Sequence, residues 1–101
     1  MKIKLSELNK PETLDLKETI SFFCNIKSYL IRATKNGNQF GVLEVEDELS
    51  SEKFYLFGEI YVQYSPTLSE NKSIIISGKF SPKRFNKHEL EFKIDTITVE
   101  S

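Results

Sequence analysis

Apolar residues recur at every second position over much of the chain, and that period predicts strands. From Glu18 to Thr34, Ile20, Phe22, Cys24 and Ile26 hold one phase, which breaks at the run Tyr29-Leu30-Ile31. A long strand whose apolar phase slips midway contains a bulge or a bend. Such a strand can pair with two different neighbours and so close a sheet into a barrel. Lys35-Asn36-Gly37-Asn38 then predicts a hairpin turn with positive φ at both central residues. The second strand, Gln39 to Asp47, places Gly41, Leu43 and Val45 on one face and Phe40, Val42 and Glu44 on the other. A polar corner, Glu48 to Ser51, leads into a third strand, Glu52 to Phe57, in which Phe54 and Leu56 alternate with Tyr55 and Phe57.

The pattern changes after Gly58. Ile60, Tyr61, Tyr64 and Leu68 fit one helical face, which predicts a short helix from Glu59 broken at Pro66. Period two resumes at Ser73 to Pro82 through Ile74, Ile76, Gly78 and Phe80. Glycine within a strand marks a bulge or a close backbone approach. A basic loop, Ser81 to Lys87, precedes a fifth strand, His88 to Val99, whose phase slips between Ile94 and Ile97 and so implies a bulge near Asp95. The expected fold class is all-β: a five-stranded Greek-key OB-fold barrel with a short helix between strands 3 and 4. Residues 1–17 read as a polar lead-in or linker and residues 18–101 as the domain.

The chain has 101 residues, enough for one domain with a small core, and its eight Phe and four Tyr without Trp imply a core rich in rings. The one cysteine, Cys24, excludes an internal disulfide and a Cys-based zinc site, and reads as a small buried hydrophobe. No run approaches the roughly 20 apolar residues of a membrane helix. The first residues lack the apolar stretch of a signal peptide, so the expectation is a cytoplasmic protein. The one histidine, His88, has no catalytic partner at a familiar spacing, and no enzyme activity or cofactor is expected of this chain. Glu46-Asp47-Glu48 lacks the spacing and turn glycine of a calcium loop and reads as a solvated acidic corner.

The net charge is −1, but the charges are uneven. Lys27, Arg32 and Lys35 occur without an intervening acid, and Lys79, Lys83, Arg84, Lys87 and Lys93 face only Glu89 and Glu91 in the same stretch. Glu44 to Glu59 holds six acids against Lys53. A basic ligand face with an acidic back would produce this pattern. Solvated strand edges, whose charges discourage aggregation, would produce it equally well.

Several blocks resemble one known domain. Thr34-Lys35-Asn36-Gly37 followed by Phe40-Gly41-Val42-Leu43-Glu44-Val45-Glu46-Asp47 resembles its TKxGxxFGxLxLED run. Leu56-Phe57-Gly58-Glu59-Ile60-Tyr61 resembles its LFGExY segment. Ile76 to Phe85 and Glu89-Leu90-Glu91-Phe92-Lys93-Ile94 resemble its last two blocks. The family is the OB-fold domain of the α subunit of bacterial DNA polymerase III, and the similarity is greatest to sequences of the Bacteroides group. The departures are Cys24 where the family often has Gly, Asn25 where it has an apolar residue, a corner at Val45 to Ser51 without its Gly, and Lys83-Arg84 in place of a lone Arg. The resemblance implies that this chain is a piece of a larger replicase, a DNA-directed DNA polymerase, and has no polymerase site of its own. It also implies that the domain binds single-stranded DNA near the emerging template and contacts the remainder of the polymerase and other replisome proteins.

Single-strand binding needs cations along the phosphates and exposed rings under the bases, and each stacked base contributes about 1–3 kcal/mol. If Gly41, Leu43, Val45, Phe54 and Leu56 face the core, then Phe40, Val42, Tyr55 and Phe57 point outward. Phe40 and Tyr55 are the stacking candidates on that face, and Phe85 is one in the basic loop. Arg32, Lys35, Lys53, Lys83, Arg84 and Lys87 are the phosphate candidates. Two alternatives remain open: a protein-interaction OB module of the replisome, which the near-neutral net charge favours, and an RNA-binding OB domain of tRNA-synthetase type.

Overall fold

A computed structural model describes residues 2–9, 18–82 and 89–100. Its strands are β1 (Lys2–Ile3), β2 (Ile20–Ala33), β3 (Gln39–Glu46), β4 (Ser51–Leu56), β5 (Ser73–Pro82) and β6 (Leu90–Glu100). Helix α1 (Gly58–Tyr64) lies between β4 and β5 and is followed by a 3-10 turn at Ser65–Thr67. The hydrogen-bonded order is β4-β3-β2-β5-β6, and every neighbouring pair on that path is antiparallel. The five long strands and the helix between the third and fourth of them follow the architecture expected from the sequence.

β2 organises the sheet because two long strands pair with it in turn. Its first half, Ile20 to Asn25, pairs with β5, and Asn25 to Ala33 pairs with β3. The register shifts between Ile26 and Ser28, so Lys27 is the extra residue of a bulge. Ile20, Phe22, Cys24 and Ile26 are buried before the bulge, and Tyr29 takes the inward phase after it. The slip visible at Tyr29-Leu30-Ile31 is therefore the downstream effect of one residue inserted at Lys27. A second bulge lies where the phase of β6 predicts it. Ser77 pairs with Thr96 and Gly78 with Ile94, which leaves Asp95 unpaired. At Gly78 the opposite strand comes so close that a Cβ would run into the main-chain carbonyl oxygen of Lys93.

Phe22, Leu43, Leu56, Ile74 and Ile76 are among the fully buried side chains, and Ile60, Tyr61 and Tyr64 of α1 pack against this core. The hydroxyl of Tyr29 donates to Ser65 Oγ at 2.6 Å, which ties β2 to the end of the helical segment. The polar N-terminal stretch also reaches the core. Lys2–Ile3 pairs in parallel with Ser21 and Phe22, and Leu5 is fully buried. The Leu5 amide donates to Asp47 Oδ2 at 3.2 Å, while Asp47 Oδ1 accepts the Leu49 and Ser50 amides at 2.9 Å each. Asp47 is thus the anchor of the β3–β4 corner. These amide bonds, the one from Leu49 above all, hold its carboxyl below the usual range. Cys24 is fully buried, and burial, with a smaller contribution from the Asp47 charge, pushes its thiol up to about 12. That thiol stays protonated and inert at neutral pH.

One expected feature is only partly realised. No main-chain pairing joins β4 to β6 among the described residues, so the curled sheet stops short of a closed hydrogen-bonded barrel. Rings bridge the gap instead: Phe54 of β4 and Phe92 of β6 lie 6.2 Å apart by centroid, and both lie near Phe22, at 6.1 and 5.6 Å. No helix among the described residues is long and apolar enough to cross a membrane.

Candidate functional site

The outer face of β3 and β4 carries the candidate site. Its exposure follows from the pleat: Gly41, Leu43, Val45 and Leu56 are buried, so the residues between them point away from the core. The register sets them in rows. Arg32 pairs with Phe40, Leu30 with Val42 and Val42 with Tyr55, and Ser28 pairs with Glu44 and Glu44 with Lys53. Phe57 follows at the end of β4. Its ring stacks on Phe40 with centroids 5.0 Å apart and planes at 20°, and Tyr55 lies 6.4 Å from Phe40 on the same surface. Tyr55 and Phe57 remain 57% and 56% exposed, so this trio presents ring faces to solvent that no core contact explains.

Cations surround the trio unevenly. Arg32 and Lys53 lie on the same face, and Lys35 lies in the hairpin loop at its rim. Glu44 shares the face and is engaged by Lys27 Nζ at 3.6 Å and by Ser28 Oγ at 3.4 Å. The acids are therefore not segregated onto an opposite back, as the separation of charge along the chain allows. Of the site residues predicted from sequence, Arg32, Phe40, Lys53 and Tyr55 come together on one surface, with Lys35 at its rim. Lys83, Arg84, Phe85 and Lys87 lie outside the described residues. Phe57 belongs to the surface through its stack on Phe40, a contact that follows only from the β3–β4 register.

The hairpin turn differs from the expected form. Gly37 has φ of +86°, whereas Asn36 is not in the positive region. The Gly37 amide donates to the Thr34 carbonyl at 2.9 Å and the Thr34 amide to the Asn38 carbonyl at 2.8 Å. This is a three-residue loop ending in a left-handed glycine, and only one residue needs the positive φ that Asn-Gly supplies.

Two clefts flank the rings. One, of about 620 Å³, lies between the hairpin loop and α1 and includes Asn38, Gln39, Phe57 and Tyr61. The other, of about 910 Å³, follows the gap between β4 and β6 and includes Tyr55, Phe57, Phe92 and Lys93. Phe57 lines both and so stands between the hairpin-loop cleft and the seam. Among the described residues no cluster of His, Cys, Asp and Glu is suited to hold a metal ion.

The solution NMR structure of the second OB-fold domain of replication protein A from Methanococcus maripaludis superposes on this chain with a TM-score of 0.56. The match covers 98% of this chain and 94% of that one, at 18% identity. This chain has an OB-fold. Neither a family model nor a curated protein matches it. In OB-folds the face of the second and third strands, with the loops beside it, is the usual ligand surface. Those strands are β3 and β4 here, the two that carry Phe40, Tyr55 and Phe57.

Proposed function

We propose that this chain is a single-stranded DNA-binding OB domain that works within DNA replication. The observation that carries this reading is the ring trio on the outer face of β3 and β4, in which exposed Phe57 stacks on Phe40 and exposed Tyr55 lies tilted beside it. Exposed rings of this kind offer platforms to bases regardless of sequence, and cations at their margin follow the phosphates. Arg32, Lys35 and Lys53 supply that margin, and Lys83, Arg84, Phe85 and Lys87 are assigned to the same interface from the sequence alone. The match to a domain of a replication protein supports the replication setting.

The finer assignment is to the α subunit of a bacterial DNA polymerase III, where the domain would hold template near the catalytic core. It rests on the resemblance of the blocks at 34–47, 56–61, 76–85 and 89–94. In that setting the chain has no catalytic activity of its own and contacts the rest of the polymerase. A second reading, a protein-interaction module, is favoured by the open seam, where the edges of β4 and β6, unpaired among the described residues, offer main-chain groups to an added strand.

Fluorescence anisotropy of a labelled single-stranded oligonucleotide, titrated with this domain at low and then physiological salt, separates the readings. Saturable binding that weakens with salt is expected. Absence of binding at low salt would reject the DNA reading for this chain, and stronger binding of an RNA oligonucleotide would replace DNA with RNA.

A further inference from the structure

The cleft between the hairpin loop and α1 has a chemistry distinct from the rest of the surface. All the residues that line it are uncharged, so it offers neither a counter-ion to a phosphate nor a carboxylate to a metal. One wall is the ring of Phe57, whose other contacts belong to the stacked trio. The lining also holds polar side chains: the amides of Asn38 and Gln39, the Thr34 hydroxyl and the Tyr61 phenol. An aromatic ring beside neutral hydrogen-bonding groups is complementary to a flat ring with a polar edge. Gly37 and Gly58 lie beside the cleft with open space where a Cβ would stand, so nothing crowds its mouth.

We infer that this cleft takes one base of the bound single strand, unstacked past Phe57, and reads its edge. The inference rests on the single-strand-binding reading and adds base preference to it.

Internal bonds set the direction of that preference. Tyr61 Oη donates to Gln39 Oε1 at 3.3 Å, which engages one lone pair of the carbonyl, turns it toward Tyr61 and leaves the NH2 for a ligand. Thr34 Oγ1 accepts the Asn38 main-chain amide at 3.2 Å, which leaves its own hydrogen free to donate. Asn38 contributes one donor group and one acceptor, and Tyr61 Oη, its hydrogen given to Gln39, contributes an acceptor. Donor groups remain the majority, so a base with a carbonyl edge, such as thymine or guanine, fits better than adenine, whose amino group meets donors. A well-placed amide pair discriminates between bases by roughly tenfold.

The test compares a thymidine with an adenine oligonucleotide of equal length, about 12 nucleotides, within the site size of one OB-fold. Anisotropy titrations are run with the wild-type domain, Gln39→Glu and Tyr61→Phe, with circular dichroism confirming the fold of each. Gln39→Glu replaces donors with a carboxylate that accepts from the adenine amino group. Tyr61→Phe releases the Gln39 carbonyl, so that the amide can turn either way. The added charge of Gln39→Glu lowers affinity for both oligonucleotides alike, and self-stacking of the adenine strand is common to all three proteins. Both effects cancel when the thymidine-to-adenine affinity ratio of each variant is divided by that of the wild type. The expected result is a ratio about tenfold lower in Gln39→Glu, with a smaller fall in the same direction in Tyr61→Phe. A wild-type domain that binds both strands, with ratios unchanged in both variants, would overturn the inference and leave single-strand binding standing. A wild-type domain that binds neither strand would overturn both. If Gln39→Glu fails to fold, Tyr61→Phe, which removes one exposed hydroxyl, decides.

Discussion

Replacing Phe57 separates the stacking surface from the fold beneath it. Phe57 is 56% exposed, so less than half of it is covered, and the ring of Phe40 stacks on it at 5.0 Å. Full burial of a Phe contributes about 1.5–3 kcal/mol, so the covered part contributes about 1 kcal/mol. The ring pair adds about 0.5–1.5 kcal/mol. Phe57→Ala should therefore cost about 1.5–2.5 kcal/mol in stability, which a domain of this size tolerates. If a base stacks on the exposed half, the same change removes about 1–3 kcal/mol of binding. That weakens the dissociation constant by about fivefold to more than 100-fold. Phe57→Leu keeps most of the apolar cover over Phe40 but offers no ring face. It should cost less than about 1 kcal/mol in urea denaturation, yet lose nearly as much binding as alanine. The assays are urea unfolding and anisotropy on the same preparations. Unchanged affinity in Phe57→Ala, or wild-type affinity in Phe57→Leu, would refute base stacking at this ring.

Four further outcomes are expected. Arg32→Ala and Lys35→Ala should each reduce the slope of log affinity against log salt by about one if each contacts one phosphate, and a titration series over salt measures it. Asp47→Ala removes the acceptor of the Leu5, Leu49 and Ser50 amides and should cost about 1–3 kcal/mol, read as a lower urea midpoint at pH 7. Because the folded domain lowers the Asp47 pKa, its contribution is full above the unfolded value of 3.8 and disappears as pH falls through the folded value. Asp47→Asn should remove that part of the acid dependence, and an unchanged acid limb would contradict the assignment. Gly78→Ala drives a Cβ into the Lys93 carbonyl oxygen and should cost about 1–3 kcal/mol or more, and a loss under about 0.5 kcal/mol in thermal or urea unfolding would show that β6 yields easily there.

The strands were legible because each buries one face, which writes burial into the sequence with period two. The same alternation showed that Phe40, Val42, Tyr55 and Phe57 point outward. Position along the strand was less certain where an extra residue intervened. Asp95 lies between two clear apolar runs and its bulge was readable, whereas Lys27 shifts a phase that becomes visible only at Tyr29. Phe57 gains its place in the site from its stack on Phe40, and that contact depends on strand register, which no single strand reveals. Leu5 was hidden for a similar reason. It sits in a polar stretch, and the acceptor of its amide, Asp47, lies 42 residues away. The turn at Gly37 was located correctly but assigned the wrong form, since Asn-Gly satisfies a three-residue loop as well as a two-residue one. The open seam has no local signal, because it depends on the spacing between two strands that meet only in the folded domain.

That seam gives the domain a spine and two covers. β2 is the spine, with β3 and β4 hinged on its second half and β5 and β6 on its first. Parting the covers separates the Phe54 and Phe92 rings and breaks no strand ladder. The seam-facing amides of β4 and β6 should thus exchange their hydrogens with solvent faster than those of β2, whose loss requires the whole sheet to open. Tyr55 and Phe57 line this same gap, so the span between the covers, and with it the grip on whatever lies there, is set by adjustable side chains and not by a rigid ring of main-chain bonds.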